Sequence, residues 1–174
     1  MQKHGEFESL HPPQLKSKSR SMAQAVHREV AHKISLPLAI ADCFPLFTPI
    51  GEMDWVPGWQ PRFLWPQDGR TQKGMVFLTG QGSEETFWIV VDFDEAQHYA
   101  RYARITPGSR SVLVEIQCKP TGPRETGVEV RYALTGHNEA ANPDLLAFAA
   151  GFPAMIEEWR ALILKWIDRK NSEA

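Results

Sequence analysis

The chain has 174 residues, of which 43% are hydrophobic, with a formal net charge of −2 and a pI near 6.3. This length suits one domain with a substantial core, and the balanced charge offers no positive field for a nucleic acid backbone. No apolar run approaches the roughly 18 residues that cross a bilayer, and the N-terminus lacks the apolar core of a secretory signal. We therefore expect a cytoplasmic protein that binds no nucleic acid and has no integral membrane association.

The first 21 residues are polar, contain a Pro-Pro pair and end in the basic run KSKSR. Such a segment carries too little apolar side chain to order itself by burial. We expect a flexible tail over residues 1–21, one domain over residues 22–170 and a short second tail over residues 171–174.

A first strand is predicted in the segment HREVAHKISLPLAIAD, where Val30, Ile34, Leu36 and Leu38 supply the apolar positions. We expect it to end near Asp42, because an Asp side chain suits the N-cap of a following helix.

Residues 44–59, FPLFTPIGEMDWVPGW and hereafter the corner, combine four aromatic residues, three prolines and two glycines. Their apolar positions follow neither the strand period nor the helix period for long. Pro45 suits the first turn of a short helix that Thr48 and Pro49 end, and a second short turn fits residues 51–55. The corner is therefore predicted to be two clipped helices in a bend.

Beyond the corner, short apolar runs alternate with turn residues, which is typical of an antiparallel meander. In GVEVRYALT and SVLVEIQCK, apolar residues alternate with polar ones. One face of the sheet is therefore dry and requires a cover. The predicted strands span residues 62–65, 74–79, 86–94, 99–106, 111–119 and 127–135.

The cover is predicted to be a long C-terminal helix that begins at Asn142 as N-cap with Pro143 in its first turn. Pro153 should kink this helix because it removes a backbone donor. Apolar residues recur at helical spacing along it: Leu145, Phe148, Phe152, Met155, Ile156, Trp159, Leu162, Ile163 and Trp166.

A strand, two short helices, a six-stranded meander and a long helix follow one another in this chain. This order, with the segments FPLFTPIGEMDWVPGW, FWIVVDFD, YARYARITPGSR and GVEVRYALTG, resembles small bacterial proteins of the START-like, or SRPBCC, superfamily. The resemblance implies an α+β helix-grip fold, in which a curved antiparallel sheet of six to seven strands wraps around the C-terminal helix. It implies no single activity, because the superfamily includes lipid and hormone carriers, polyketide cyclases and co-chaperone-like proteins.

In the helix-grip arrangement, the corner closes a cavity between the sheet and the long helix. The resemblance implies that the corner aromatics cover this cavity; the alternative is that they only form core. The candidate ligand-binding residues are Phe44, Phe47, Trp55, Trp59, Tyr99, Arg101, Tyr102, Tyr132, Phe152, Met155 and Trp159.

Motifs for metal, nucleotide or nucleophilic chemistry are absent from the sequence. The six histidines lack paired ligand spacing, no G-x-S-x-G occurs, and GQG lacks the remaining glycines of a phosphate-binding loop. Cys43 and Cys118 have no evident activating partner, so we expect both to be small buried hydrophobes. We expect no metal and no cofactor, and the sequence identifies no catalytic residue.

Polar residues within the apolar segments are candidates to converge on the cavity: Glu52, Asp92, Asp94, Tyr99, Arg101 and Tyr102. An inward-facing Arg101 would need an anionic or carbonyl partner, because a buried unpaired guanidinium is costly. The alternative is that Arg101 and Arg104 pair with acids on the outer face. The strand period places at least one of them there.

The leading functional hypothesis is a binding protein, monomeric or homodimeric, that holds a hydrophobic or amphipathic small molecule, lipid-like or polyketide-like. The alternative is a cyclase or dehydratase-type enzyme acting on a polyketide-like substrate, and a third is a co-chaperone-like interaction module. A carrier is expected to have apolar walls with few titratable groups. An enzyme is expected to have an acid or base of perturbed pKa at the cavity.

Overall fold

The computed structural model describes residues 25–173, so the tail predicted over residues 1–21 lies outside the described residues. The strands are β1 His27–Leu36, β2 Arg62–Trp65, β3 Val76–Thr79, β4 Thr86–Asp94, β5 Tyr99–Thr106, β6 Arg110–Gly122 and β7 Glu125–Gly136. They form one antiparallel sheet in the order β1-β7-β6-β5-β4-β3-β2. The predicted curved sheet and helix-grip architecture are confirmed.

Three strands, β2, β4 and β5, have the predicted bounds. β1 ends at Leu36 rather than near Asp42, because Pro37 follows and the Leu38 amide turns back to donate to the Leu36 carbonyl. β3 begins later than predicted because Gly74 adopts a φ of 84°, outside the strand region. β6 and β7 are longer than predicted because their pairing continues to a tight hairpin turn.

The inner face of the sheet is dry, as the alternation predicts. In β6, Val112, Val114, Ile116 and Cys118 are at most 4% exposed, whereas their neighbours in sequence are partly exposed. Cys43 packs into the same core, and both cysteines are free and buried.

The helix α2, Asn142–Glu173, is 32 residues long and packs mainly against β1 and β7. Its predicted apolar stripe faces the core: Leu145, Phe152, Ile156 and Ile163 are buried, and Phe148, Met155, Trp159, Leu162 and Trp166 are partly buried against them. The helix continues through Pro153 and includes residues 171–173, which were expected to form a tail.

The N-cap prediction at Asn142 is wrong, because Asn142 already has helical dihedrals. A 3₁₀ turn, Glu139–Ala141, precedes α2, and Asn138 caps that turn by accepting a hydrogen bond from the Ala141 amide at 3.0 Å. Because the extra turn precedes α2, the capping asparagine is Asn138, four residues before Asn142.

The corner contains two short 3₁₀ turns, Phe44–Phe47 and Gly51–Asp54, which follow a one-turn helix α1, Ile40–Cys43. Asp42 lies inside α1 and does not cap it, so that prediction is wrong as well. Thr48 joins the two turns: its hydroxyl donates to the Pro45 carbonyl at 2.7 Å and accepts from the Gly51 amide at 3.1 Å. The two predicted short helices are present as these tighter turns.

Phe152 lies on the core-facing side of α2 and is fully buried, so Phe152→Ala should cost about 3–5 kcal/mol of unfolding free energy, because it leaves a cavity in the core. Leu146→Ala is the matched control, since Leu146 lies on the same helix and is 40% exposed; its cost should stay below about 1 kcal/mol. Urea unfolding measures both variants. Equal losses would contradict the packing assigned to α2.

Candidate functional site

A cavity of about 110 Å³ lies between the inner face of the sheet, the corner and α2. The corner contributes Phe47, Pro49, Glu52, Val56 and Trp59, the sheet contributes Phe77, Trp88, Tyr102, Arg104, Val114, Ile116 and Tyr132, and α2 contributes Trp159. The lining combines a largely aromatic wall with a small group of polar side chains.

The aromatic wall results from strand register. Phe77 and Trp88 are direct partners on β3 and β4, and their rings stack with centroids 5.5 Å apart and planes 9° apart. Trp59 places its edge against both rings, at 5.8 Å from Trp88 and 6.3 Å from Phe77. The indole nitrogen of Trp88 donates to Thr79 Oγ1 at 2.8 Å, so burying this ring leaves no unpaired donor.

Arg104 brings a positive charge to this wall. Even-numbered residues of β5 face inward, and Arg104 is the register partner of Trp88. Its guanidinium carbon lies 5.0 Å from the centre of the Trp88 ring, within cation–π range. Burial lowers the pKa of Arg104, but a guanidinium of this kind stays charged at neutral pH.

Glu52 faces this charge from the second 3₁₀ turn of the corner. The turn needs glycine at position 51, because a Cβ there would collide with the Pro45 carbonyl, and the Glu52 amide then donates to the Thr48 carbonyl at 2.9 Å. Burial raises the pKa of Glu52 to about 8, and the nearby Arg104 opposes that rise. At neutral pH the carboxyl is therefore mostly protonated.

Two tyrosines complete the polar group. The Tyr102 hydroxyl donates to the Phe47 carbonyl at 2.9 Å and joins β5 to the corner. Tyr132 on β7 packs against Phe152 of α2 with ring centroids 4.9 Å apart. Burial raises the pKa of Tyr132 to about 12, and Arg104 opposes this rise, so both tyrosines are neutral donors near pH 7.

Among the predicted site residues, the cavity lining includes Phe47, Trp59, Tyr102, Tyr132 and Trp159. Phe44 instead stacks on Phe93, and Trp55 is 4% exposed and donates to the Leu46 carbonyl. Phe152 and Met155 pack in and against the core and do not line the cavity.

Tyr99 and Arg101 lie on the outer face of β5. Arg101 Nε is 3.2 Å from Glu115 Oε1, its direct partner on β6, so the outer-face alternative applies to Arg101. Tyr99 is paired across the strands with Asp94 on that same face. Asp92 is 4.0 Å from Lys73 Nζ and also faces outward.

Arg104 was absent from the predicted ligand-binding residues and was named only in the alternative in which it pairs with acids on the outer face. Arg104 lies two residues after Tyr102 on one continuous strand, so the two side chains share a face. This spacing was the signal that Arg104 faces inward with Tyr102. Glu52 was named as a polar candidate but was absent from the predicted ligand-binding residues. Phe77 and Trp88 were also missed, because alternation marks them as core and cannot show which core positions border a space.

Between residues 25 and 173, no group of three or more His, Cys, Asp or Glu side chains is placed to hold a metal ion. Over the same range, no helix combines the length and apolar character needed to cross a membrane. The predicted cytoplasmic location and the monomeric or homodimeric state stay predictions.

Several solved structures share this architecture. Norcoclaurine synthase from Thalictrum flavum matches with a TM-score of 0.59 at 15% identity, over 94% of this chain and 99% of that chain. An uncharacterised protein from Rhizobium leguminosarum matches with a TM-score of 0.60 at 12% identity, over 82% and 97% of the two chains. The chain has the helix-grip fold. Mll3558 from Rhizobium loti shares this helix-grip fold, with a TM-score of 0.57 at 16% identity over 80% and 99%.

These structural matches establish a shared helix-grip fold, and a shared fold leaves activity open. No protein-family model matches the sequence, and no curated protein does.

Ionisation of Glu52 should make stability depend on pH. Folded Glu52 keeps its proton up to about pH 8, whereas an unfolded glutamate releases it near pH 4.5, so rising pH favours unfolding between these values. The wild-type protein should lose unfolding free energy from about pH 4.5 to 8 relative to Glu52→Gln, as measured by urea unfolding at each pH.

Glu158→Gln is the control for this comparison, because it removes a carboxyl from an exposed position on α2. It should follow the wild-type pH profile. Parallel profiles for wild type and Glu52→Gln would show that the Glu52 carboxyl is not buried at the cavity.

Proposed function

We propose that this protein binds a small hydrophobic or amphipathic molecule in the cavity between the sheet, the corner and α2. The supporting observation is the lining itself, in which stacked aromatic rings border a space where Glu52, Arg104 and Tyr132 converge. Small-molecule sites typically combine apolar walls with a few placed polar groups.

The volume of the cavity limits the ligand. An engineered apolar cavity of about 150 Å³ holds benzene, so a cavity of about 110 Å³ holds at most one aromatic ring, and a substituted ring requires small movements of the wall. A larger lipid-like or polyketide-like ligand would require the wall to open. Trp59 is the corner aromatic suited to this movement, because it lines the cavity while remaining partly exposed.

A structure with the same fold supports a ligand of this size. Norcoclaurine synthase from Thalictrum flavum has been solved in complex with dopamine and hydroxybenzaldehyde, each of which contains one aromatic ring. That structure matches this chain with a TM-score of 0.58 at 15% identity, over 81% of this chain and 88% of that one.

Glu52 favours a second candidate, an enzyme of the cyclase or dehydratase type. A carboxyl whose pKa is about 8 can donate a proton near neutral pH and take it back, which is what general acid–base catalysis requires. Arg104 could polarise a substrate carbonyl in the same cavity. This candidate uses the same cavity as the binding proposal and differs from it in the fate of the ligand.

The roles of two corner tryptophans test the binding proposal. Benzyl alcohol, an uncharged one-ring probe, should bind at one site by titration calorimetry. Trp59→Ala should reduce the free energy of benzyl alcohol binding more than it reduces the free energy of unfolding, because Trp59 borders the cavity. Trp55→Ala should do the reverse and cost about 3–5 kcal/mol, because Trp55 is buried and does not line the cavity.

The opposite ranking of the two variants would leave the corner as a structural element and contradict a ligand contact at Trp59. Absence of any benzyl alcohol binding to the folded wild-type protein would contradict the proposed cavity function.

Mass spectrometry of molecules retained through native purification separates carrier from enzyme. A carrier should retain the same molecule in wild type and in Glu52→Gln. An enzyme that uses Glu52 as its acid should retain a different molecule in the variant, because the substrate accumulates when the proton transfer is removed. Identical retained molecules would therefore count against the enzyme.

A further inference from the structure

The Arg104 guanidinium has an unused donor inside the protein. Its Nε is buried and has no hydrogen-bond partner. None of the ion pairs between residues 25 and 173 involves Arg104, whereas Arg101 on the opposite face of the same strand is paired with Glu115. A buried charged group with an unpaired donor is costly, so an occupant that accepts from it would be stabilised.

Tyr132 interacts with the Arg104 guanidinium, and the unpaired Nε leaves one part of the guanidinium edge available. One face of the guanidinium lies over the Trp88 ring, so a partner is best placed in the guanidinium plane. Nε and one terminal nitrogen form a fork that matches the two oxygens of a carboxylate. The rings of Phe77, Trp59 and Trp159 line the same space and can contact an aromatic body.

The other groups at the cavity do not neutralise this charge near pH 7. The corner contributes Glu52, which is mostly protonated there, and β5 and β7 contribute the neutral Tyr102 and Tyr132. The remaining lining side chains are apolar: Phe77 from β3, Trp88 from β4, Val114 and Ile116 from β6, Trp159 from α2, and Phe47, Pro49, Val56 and Trp59 from the corner.

A second cation lies close by. Arg110, at the start of β6, adds positive charge that disfavours ionised Arg104, and its own partner is the exposed Glu84 at 3.8 Å. A cationic ligand would therefore meet repulsion at the polar end of the cavity, and an anion would meet attraction.

The geometry points to a one-ring aromatic carboxylate as the ligand class of this cavity, with the carboxylate bound by the Arg104 fork and the ring held by Trp59, Phe77 and Trp159. This inference rests on the proposed binding function. It adds the charge of the ligand and the residue that selects it.

Three probes of similar size test the charge preference in the wild-type protein: benzoate, benzyl alcohol and benzylamine. Titration calorimetry at pH 6.5 should give benzoate an affinity at least about tenfold above that of benzyl alcohol, since hydrogen bonds to charged groups are the stronger class. Benzylamine should bind more weakly than benzyl alcohol.

Variants of two arginines on β5 test which residue gives the preference for benzoate. Arg104→Gln should remove the preference of benzoate over benzyl alcohol, and Arg104→Lys should keep part of it because the charge remains without the fork. Arg101→Gln is the matched control, because it removes the same side chain from the outer face of β5, and it should keep the full preference.

Benzoate affinity should also fall several-fold between pH 6.5 and pH 9, because ionised Glu52 would repel the carboxylate and compete for Arg104. In Glu52→Gln the benzoate affinities at pH 6.5 and pH 9 should be nearly equal. Benzyl alcohol serves as the uncharged control across the same pH range.

The outcomes separate the inference from the binding function on which it rests. Equal affinities for benzoate and benzyl alcohol, or a preference for benzylamine, would overturn the anion inference and leave cavity binding intact. A benzoate preference that survives in Arg104→Gln would assign it to another residue and overturn the role of Arg104. If Arg104→Gln does not fold, the wild-type ranking and the partial preference of Arg104→Lys decide the question. Failure of all three probes to bind would overturn both proposals.

Discussion

The cavity depends on the buried hydrogen bond between the Tyr102 hydroxyl and the Phe47 carbonyl, 2.9 Å long. It joins the centre of the sheet to a turn of the corner, two segments that are distant in sequence and are otherwise held by apolar contacts without direction. Because a hydrogen bond has a preferred length and angle, it sets how closely the corner approaches β5. The cavity lies beside this bond, since Phe47 and Tyr102 both line it.

The aromatic residues of the corner have different roles. Phe44, Phe47 and Trp55 are buried, and the Trp55 indole is tied to the Leu46 carbonyl at 2.8 Å. Trp59 follows a glycine in the left-handed region, is partly exposed, and donates to the Pro49 carbonyl at 2.8 Å. Phe44 and Trp55 form core only, whereas Phe47 and Trp59 border the cavity that a ligand would contact.

Arg104 and Glu52 give the cavity its chemical character. Each is placed by backbone geometry rather than by pairing with the other: Arg104 by the alternation of β5, and Glu52 by the tight turn that starts at Gly51. In a site of low polarity, the burial that favours protonated Glu52 leaves the positive charge of Arg104 without a full counter-charge. Binding and proton transfer are therefore both compatible with this arrangement, and the two functions differ in whether Glu52 exchanges its proton with the ligand.

Local pattern determined most of the fold. Short apolar runs between turn residues marked β4 and β5 at their observed bounds. Period-2 alternation marked the dry face of β6 and β7, and helical spacing marked the buried stripe of α2, because both follow from which face of an element meets water. The cover by the C-terminal helix followed from the one-sided alternation, and the curved sheet wrapped around that helix followed from resemblance to the helix-grip fold. The caps at Asp42 and Asn142 were wrong, because each depended on a turn whose start is set by neighbouring elements.

The sequence by itself identified aromatic and polar residues able to line a cavity, but only the tertiary structure decided which of them do. Phe44, Trp55 and Trp59 belong to one aromatic-rich segment, yet their rings meet different neighbours because the chain reverses direction between them. Arg101 and Arg104 also lie close together in sequence, on one strand. Strand register pairs Arg101 with Glu115 on the outer face and places Arg104 over Trp88 on the inner face. Side-chain type indicates which residues can bind a ligand, whereas an internal space exists only where separate segments meet without filling it.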